Sequence, residues 1–348
     1  MTAANPVELL RKADKAQQRF TPSAFVVGVV RKYGDDNGGV LVGNLTHVGF
    51  VSLFPLLLVL VTVLGLVAAG DSGFRQATIN AVADQFPLIG HQLTTNVHEL
   101  RRSSTIGLAV GLAGLLWGST RLARAGLYTM ERVWNLPGPA RPGHLRRLGR
   151  ALLFLVLLAC AVIATTLLAG LSTFGRRALA LDVLAVAVEV IVNAVTYLGG
   201  FRILTPRGVP TRDLVPGAVA AGVGWTVLQV AGTYLVHHYL HSDTVYGVFA
   251  TVLGLVAWIY LAAEITVFSA EVNVVLARRL WPRSIVQPPL TEADRASLAL
   301  QTLGSQRRKE QQVEVTFDDR EPGAAEPPTT PRTPGEISPP GTRPHEEP

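Results

Sequence analysis

The chain has 348 residues, of which 49% are hydrophobic and only 16% charged, and its mean hydropathy is +0.33. A soluble chain of this length carries roughly a quarter charged residues, and here the apolar residues gather in 40–69 and 105–280 between two polar ends, which argues against two soluble domains. The net charge of +6 fits nucleic-acid binding or the loop bias of membrane proteins; the arginines flank apolar runs and interleave with no stacking aromatics, which favours the second.

The first 39 residues are polar, with no cleavable leader expected, so the first apolar run serves as an uncleaved anchor. Within them Val7, Leu10 and Ala13 share a helical face, and Thr21-Pro22 breaks the pattern before SAFVVGVVRKY. Arg11, Lys12, Lys15 and Arg19 make the first part basic, as expected of a helix lying on an anionic leaflet.

A hydrocarbon core of ~30 Å takes about 20 apolar residues in a helix. Residues 40–69, 150–174, 180–202, 214–238 and 245–277 meet that length. A sixth and weakest span, 105–126, is apolar only as far as TIGLAVGLAGLLWG, before Arg121 and Arg124; it crosses if those arginines snorkel to the headgroups. Residues 70–104 alternate apolar and polar at helical spacing and read as an extracytoplasmic hairpin. From Ser284 on, the Pro-, Glu- and Thr-rich composition predicts a disordered cytoplasmic tail. The expected class is an all-α membrane bundle of six spans, preceded by amphipathic helices in 1–39 and followed by a tail over 284–348.

Orientation follows from the basic residues. The N-terminal segment holds Arg11, Lys12, Lys15, Arg19, Arg31 and Lys32, and the second connection holds Arg132, Arg141, Arg146, Arg147 and Arg150 besides Arg121 and Arg124. Arg202, Arg207 and Arg212 fall in the fourth connection, and Arg278, Arg279 and Arg283 follow the last span. The alternate connections hold only Arg75, Arg101, Arg102, Arg176 and Arg177. Both termini are therefore expected in the cytoplasm.

Three stretches carry a resemblance: GNLTHVGFVSLFPLLLVLVTVLG at 43–65, LLWGSTRLARAGLYTMERVWN at 115–135, and RDLVPGAVAAGVGWTVLQ at 212–229 with TVYGVFATVLGLVAWIYLAAEITVFSAEVNVV at 244–275. Together they resemble the YihY/BrkB family of bacterial inner-membrane proteins over residues 20–283. The resemblance implies six helices in the inner membrane and an unsettled molecular function. Some members are associated with virulence or envelope lipid export, and an older ribonuclease label also circulates. His47 and the acidic, Pro-rich tail depart from the family pattern.

Ionisable groups at membrane depth are costly, so each is a candidate for function, with pairing inside the bundle as the structural alternative. Glu189 and Asn193 are one turn apart and point together, as a proton or cation site or as an interhelical hydrogen bond. Glu264 and Glu271 share a face of the last span, at a depth comparable with Arg121 and Arg124, so Arg–Glu pairs would offset both burial costs. With Asn44, His47 and Asn273 these residues suggest a polar vestibule open to the cytoplasm. Pro55 removes a hydrogen bond in the first span and predicts a kink. Ala218, Ala221, Gly222 and Gly224 give the fifth span a small-residue face for close helix contact. His237 and His241 have metal-like spacing, but no carboxylate stands at a recognisable ligand distance.

No P-loop, dinucleotide fingerprint, zincin motif or nucleophile elbow occurs. A ribonuclease needs an aqueous acid/base or metal-carboxylate site and a basic groove, and neither is visible. The expectation is a non-enzyme without cofactor or metal, partnered by the bilayer and by no nucleic acid. It is either a transporter or exporter of a lipid or amphipathic envelope component, or a scaffold for envelope assembly.

Overall fold

A computed structural model describes residues 6–67, 105–138, 145–146, 148–154, 156–158, 160–161, 179–205, 208–239, 245–308 and 310–317. Every regular element among the described residues is helical. Helix α1 (Pro6–Arg19) and α2 (Thr21–Asp35) meet at Phe20, where the Thr-Pro pair starts the second helix, proline being tolerated in a first turn. Asp36 and Asn37, the latter in left-handed backbone at φ 56, turn the chain into α3 (Gly38–Val67). Helix α3 continues through position 55; the side chains of residues 54–67 lie outside the described residues, and so does the kink expected at Pro55.

Helix α4 (Thr105–Val133) stops before a second left-handed asparagine, Asn135 at φ 47. A short apolar helix α5 (Leu148–Leu158) follows, then α6 (Leu179–Leu204). A 3-10 turn at Thr211–Leu214 leads directly into α7 (Val215–Tyr239), and α8 (Val245–Arg278) is the longest described helix. Its end is marked by Arg279 at φ 53. The expected spans 180–202, 214–238 and 245–277 thus match α6, α7 and α8 within two residues at each end.

Among the described residues three helical stretches are long and apolar enough to cross a membrane: Leu184–Leu204, Thr211–Tyr234 and Val252–Arg278. Gly38–Leu53 and Leu148–Leu158 are shorter apolar stretches. Helix α4 is not among either group; the side chains of 105–112 and 115 lie outside the described residues, and its described part carries Arg121, Arg124, Glu131 and Arg132. The expected hairpin at 70–104 lies outside the described residues.

The packing follows membrane rules. Large apolar side chains face outward, among them Ile191, Val195, Val227, Val230, Leu253 and Leu261, because lipid tails solvate them as well as a core would. Small residues mediate the helix contacts. Ala218 and Ala221 are buried, Gly222 lies against the backbone of Ala194 on α6, and Gly224 lies against Ile265 on α8. Gly217 approaches α8 so closely that a Cβ there would lie 2.0 Å from the carbonyl of Ser269. The small-residue face expected on the fifth span is the seam that joins α6, α7 and α8.

The disordered tail expected from Ser284 is corrected over its first part. Arg283 and Ser284 are buried, and α9 (Glu292–Gly304) starts with a full capping box. Thr291 accepts from the Asp294 N–H while the Asp294 carboxylate accepts from Thr291 N–H, which satisfies two first-turn donors at once. The compact unit containing these helices is Met1–Glu314, and Val315–Pro348 forms a second unit. Residues 318–348 lie outside the described residues.

Candidate functional site

The polar residues separate into an interior set and an outward set, and the division differs from the one expected. The interior set centres on α8. Glu271 is fully buried, and its carboxylate lies 3.6 Å from the ammonium of Lys32, which is buried as deeply. Lys32 also contacts the carboxylate of Asp36, one turn later, and donates to the Val133 carbonyl at the end of α4 (3.1 Å). Asn135 Nδ2 donates to the other Asp36 oxygen at 2.8 Å. One ammonium thus holds α2, the α2–α3 turn, α4 and α8 together. Two turns along α8, Glu264 is half-buried and accepts from the Tyr33 hydroxyl at 3.1 Å. Burial, then the hydrogen bond and charge of Glu264, hold the Tyr33 phenol well above its ordinary range, and its ring stacks on Phe268 at 4.3 Å.

The Arg–Glu pairs expected between α4 and α8 do not form. Arg121 and Arg124 are exposed, and Arg121 lies over the Trp117 ring, 4.7 Å from its centroid. The carboxylates meet Lys32 and Tyr33 instead. Asn44 and His47 are also exposed, on the outer face of α3, so four of the residues assigned to an inner vestibule stand on the outside of the bundle.

Two interior residues behave as interhelical ties. Asn193 is buried on α6 and donates to Thr226 (3.0 Å) and Gln229 (3.4 Å) on α7. Glu189 is half-buried one turn away. Asn273 is buried on α8, and its Oδ1 accepts from the Gly217 N–H at 2.6 Å. That N–H belongs to the first turn of α7, where intrahelical acceptors are lacking; Asn273 caps one helix from the next. The histidine pair gains no support, since His241 lies outside the described residues and the side chain of His237 does too. Among the described residues no group of three metal-ligating side chains occurs.

A second network, missed in the sequence, joins the two polar ends. Arg283 is buried, with its Nε on Asp294 (2.8 Å) and an Nη on Asp35 (2.5 Å) and Ser297 (3.3 Å). Asp14 on α1 accepts from Ser284 Oγ (2.8 Å), Ile285 N–H (2.9 Å), Val286 N–H (3.3 Å) and Gln17 (3.0 Å). Burial alone would raise the Asp14 carboxyl, but these donors overcome it and bring it from 3.8 down to about 2. The sign follows from the depression. The Asp14 hydrogen bonds of this clasp contribute their full stability above about pH 4 and lose it as pH falls toward 2. Limited proteolysis of α1 between pH 5 and pH 2 should show protection fading over that window in the wild type. Asp14→Asn should remove most of the dependence.

Between these networks lies a cleft of about 360 Å³, lined by Asp35, Asp36, Asn37, Tyr128, Glu131 and Asn135 among others. Its walls come from the α2–α3 turn, the end of α4 and α9, so it exists only because the C-terminal segment folds back. Asp35, Asp36 and Glu131 bring three carboxyl groups to this cleft, with Arg132 also on its wall.

Three findings place the chain among known proteins. Residues 29–291, most of the chain, match the family model described as Virulence factor BrkB. The chain belongs to the BrkB family. Curated relatives include a UPF0761 membrane protein of Alcanivorax borkumensis, 24% identical over 73% of this chain, and one of a Psychrobacter species, 21% identical over 72%. The chain spans 61% and 48% of the length of those two relatives. The inner membrane protein YhjD of Escherichia coli is 24% identical over 73% of this chain and 81% of its own length. No solved structure matches. The BrkB match starts inside α2 and ends at the cap of α9, so Lys32, Glu271 and Arg283 lie within it and Asp14 lies outside.

Proposed function

We propose that this BrkB-family membrane protein is a non-enzymatic, multi-pass component of the inner membrane, with six crossings and both termini in the cytoplasm, serving as a scaffold in envelope assembly. The sealing of Glu271 against Lys32 and Asp36 carries this reading: a fully buried acid of the bundle is engaged in holding four segments together. The basic residues of the even-numbered connections support the orientation. So does the pairing of Arg283 with Asp35, because chain segments before and after the spans can meet only if the crossings between them are even in number.

A transporter or exporter of a lipid or amphipathic envelope component is the second reading, and Glu264 favours it. That acid is half-buried on a span and is held by a neutral hydroxyl rather than by a cation. Glu264→Gln separates the two. On the scaffold reading, protein abundance and envelope integrity fall together, by a modest factor, since one hydrogen bond to a charged group contributes about 1.5–3 kcal/mol. Full abundance with abolished movement of a labelled lipid between leaflets would install the transport reading. Metal-dependent nuclease activity of the purified protein that vanishes on mutating Glu189 or Glu264 would overturn the non-enzymatic assignment.

A further inference from the structure

The four outward polar residues find a use together. Ser52 of α3 donates to the Gly118 carbonyl of α4 at 3.0 Å, while Val40 and Leu41 share the cleft wall with Tyr128. Residue numbers rise along α3 as they fall along α4, so the two helices are antiparallel, and Arg121 and Arg124 stand beside residues 46–49. Val40, Asn44 and His47 lie on one exposed stripe of α3, at spacings of four and three. Trp117, Arg121, Arg124 and Tyr128 lie on one exposed stripe of α4 by the same spacing. Val40 and Tyr128 both reach the cleft, so the two stripes border one groove on the outside of the bundle. Neither stripe carries a carboxylate.

Depth decides what fills such a groove. Gly49 of α3 lies on Ile259 of α8, where an added Cβ would come within 3.1 Å of that side chain. Helix α8 starts at Val245, and about 20 helical residues cross the hydrocarbon. The headgroup layer then falls near residue 265, within two turns of the Arg121 and Arg124 level. Long arginine side chains reach that distance. Two guanidinium groups at the edge of hydrocarbon are costly unless an anion meets them, and Trp117, 55% exposed one turn deeper, suits an acyl chain and an interfacial ring equally well.

We infer that the α3–α4 groove is a binding site for one anionic phospholipid, whose phosphate is held by Arg121 and Arg124 with Asn44 and His47 as polar partners, and whose acyl chains run along Trp117 and Leu116. The inference is independent of whether the protein scaffolds or transports. Arginine suits the role because its planar fork meets two phosphate oxygens at once.

The test uses full-length protein in nanodiscs of mixed phosphatidylglycerol and phosphatidylcholine, released into native mass spectrometry. Wild type should retain phosphatidylglycerol preferentially, and Arg121→Gln/Arg124→Gln should lower that preference by about tenfold or more. Both sites are exposed, so folding is kept. Arg212→Gln, an exposed arginine on another connection whose side chain is 87% accessible, should leave it unchanged. Equal loss in both variants reduces the effect to general charge and overturns the site. So does displacement of the lipid by inorganic phosphate alone, which would mark a free-anion site, or a dimer mass replacing the lipid, which would put a second copy in the groove.

Discussion

Lys32→Met should destabilise the folded chain by about 3–5 kcal/mol, the range for removing one partner of a buried ion pair. The substitution keeps most of the side-chain volume and deletes the ammonium that Glu271 and Asp36 share. Both carboxylates then lie almost fully buried against one another, and the Val133 carbonyl loses its donor. Thermal unfolding in detergent, followed by fluorescence of the interior tryptophans, measures the change. The double variant Lys32→Met/Glu271→Gln should recover part of the loss, because a neutral amide no longer needs a counter-charge. A double variant as unstable as the single one would mean that Lys32 acts through packing rather than charge. The same measurement tests how much of the bundle's cohesion comes from this one residue rather than from its small-residue seam.

Arg283→Met should release the C-terminal segment from the N-terminal helices, with a local cost again of about 3–5 kcal/mol. Asp294 and Asp35 lose their shared cation, although Asp294 keeps its capping role toward Thr291. The expected phenotype is distinct from that of Lys32. Amides of α1 and α9 should exchange with solvent far faster, while α6, α7 and α8 keep their protection, since the side-chain partners of Arg283 are Asp35, Asp294 and Ser297, none of them on those helices. Hydrogen exchange of the whole protein reads both at once; uniform loosening of every helix would show that the clasp and the bundle unfold as one unit. Because α9 also walls the cleft, the exposure of Glu131 and Asn135 should rise in the same variant.

Much of the architecture is legible without a structure, for reasons that lie in single segments. Helices α6, α7 and α8 announce themselves because an apolar run of bilayer length has few alternatives. The seam on α7 is readable because small residues at helical spacing in a membrane serve close approach. The Asn193 tie was one of two readings open for an amide on an apolar helix, and its partners Thr226 and Gln229 decide between them.

The partners of the charged residues are a different matter. Glu264 and Glu271 share a face, and the sequence shows that much; it does not show that α2 rather than α4 occupies the space in front of them. From the sequence, Lys32 reads as one of the basic residues of the N-terminal segment that set the orientation, because positive charges flanking spans favour the cytoplasmic side. It is buried because α2 packs along the end of α8, with Gly28 admitting the Leu280 carbonyl to within 3.0 Å of an added Cβ. Arg121 and Arg124 go outward for the complementary reason, since Ser52 and Gly118 bring the opposite edge of α4 against α3.

The C-terminal helix shows both sides of the division. Its start is written in the sequence, as a threonine with an acid three residues on, whereas its place is set by Arg283 meeting an aspartate 248 residues earlier in the chain. Apolar length, small-residue spacing and the distribution of basic residues are local properties, so the sequence by itself determined a helical membrane protein of this family. Which cation faces which carboxylate depends on the rotation and order of helices far apart in the chain. That pairing, and with it the sealed interior and the basic outer groove, only the tertiary structure decided.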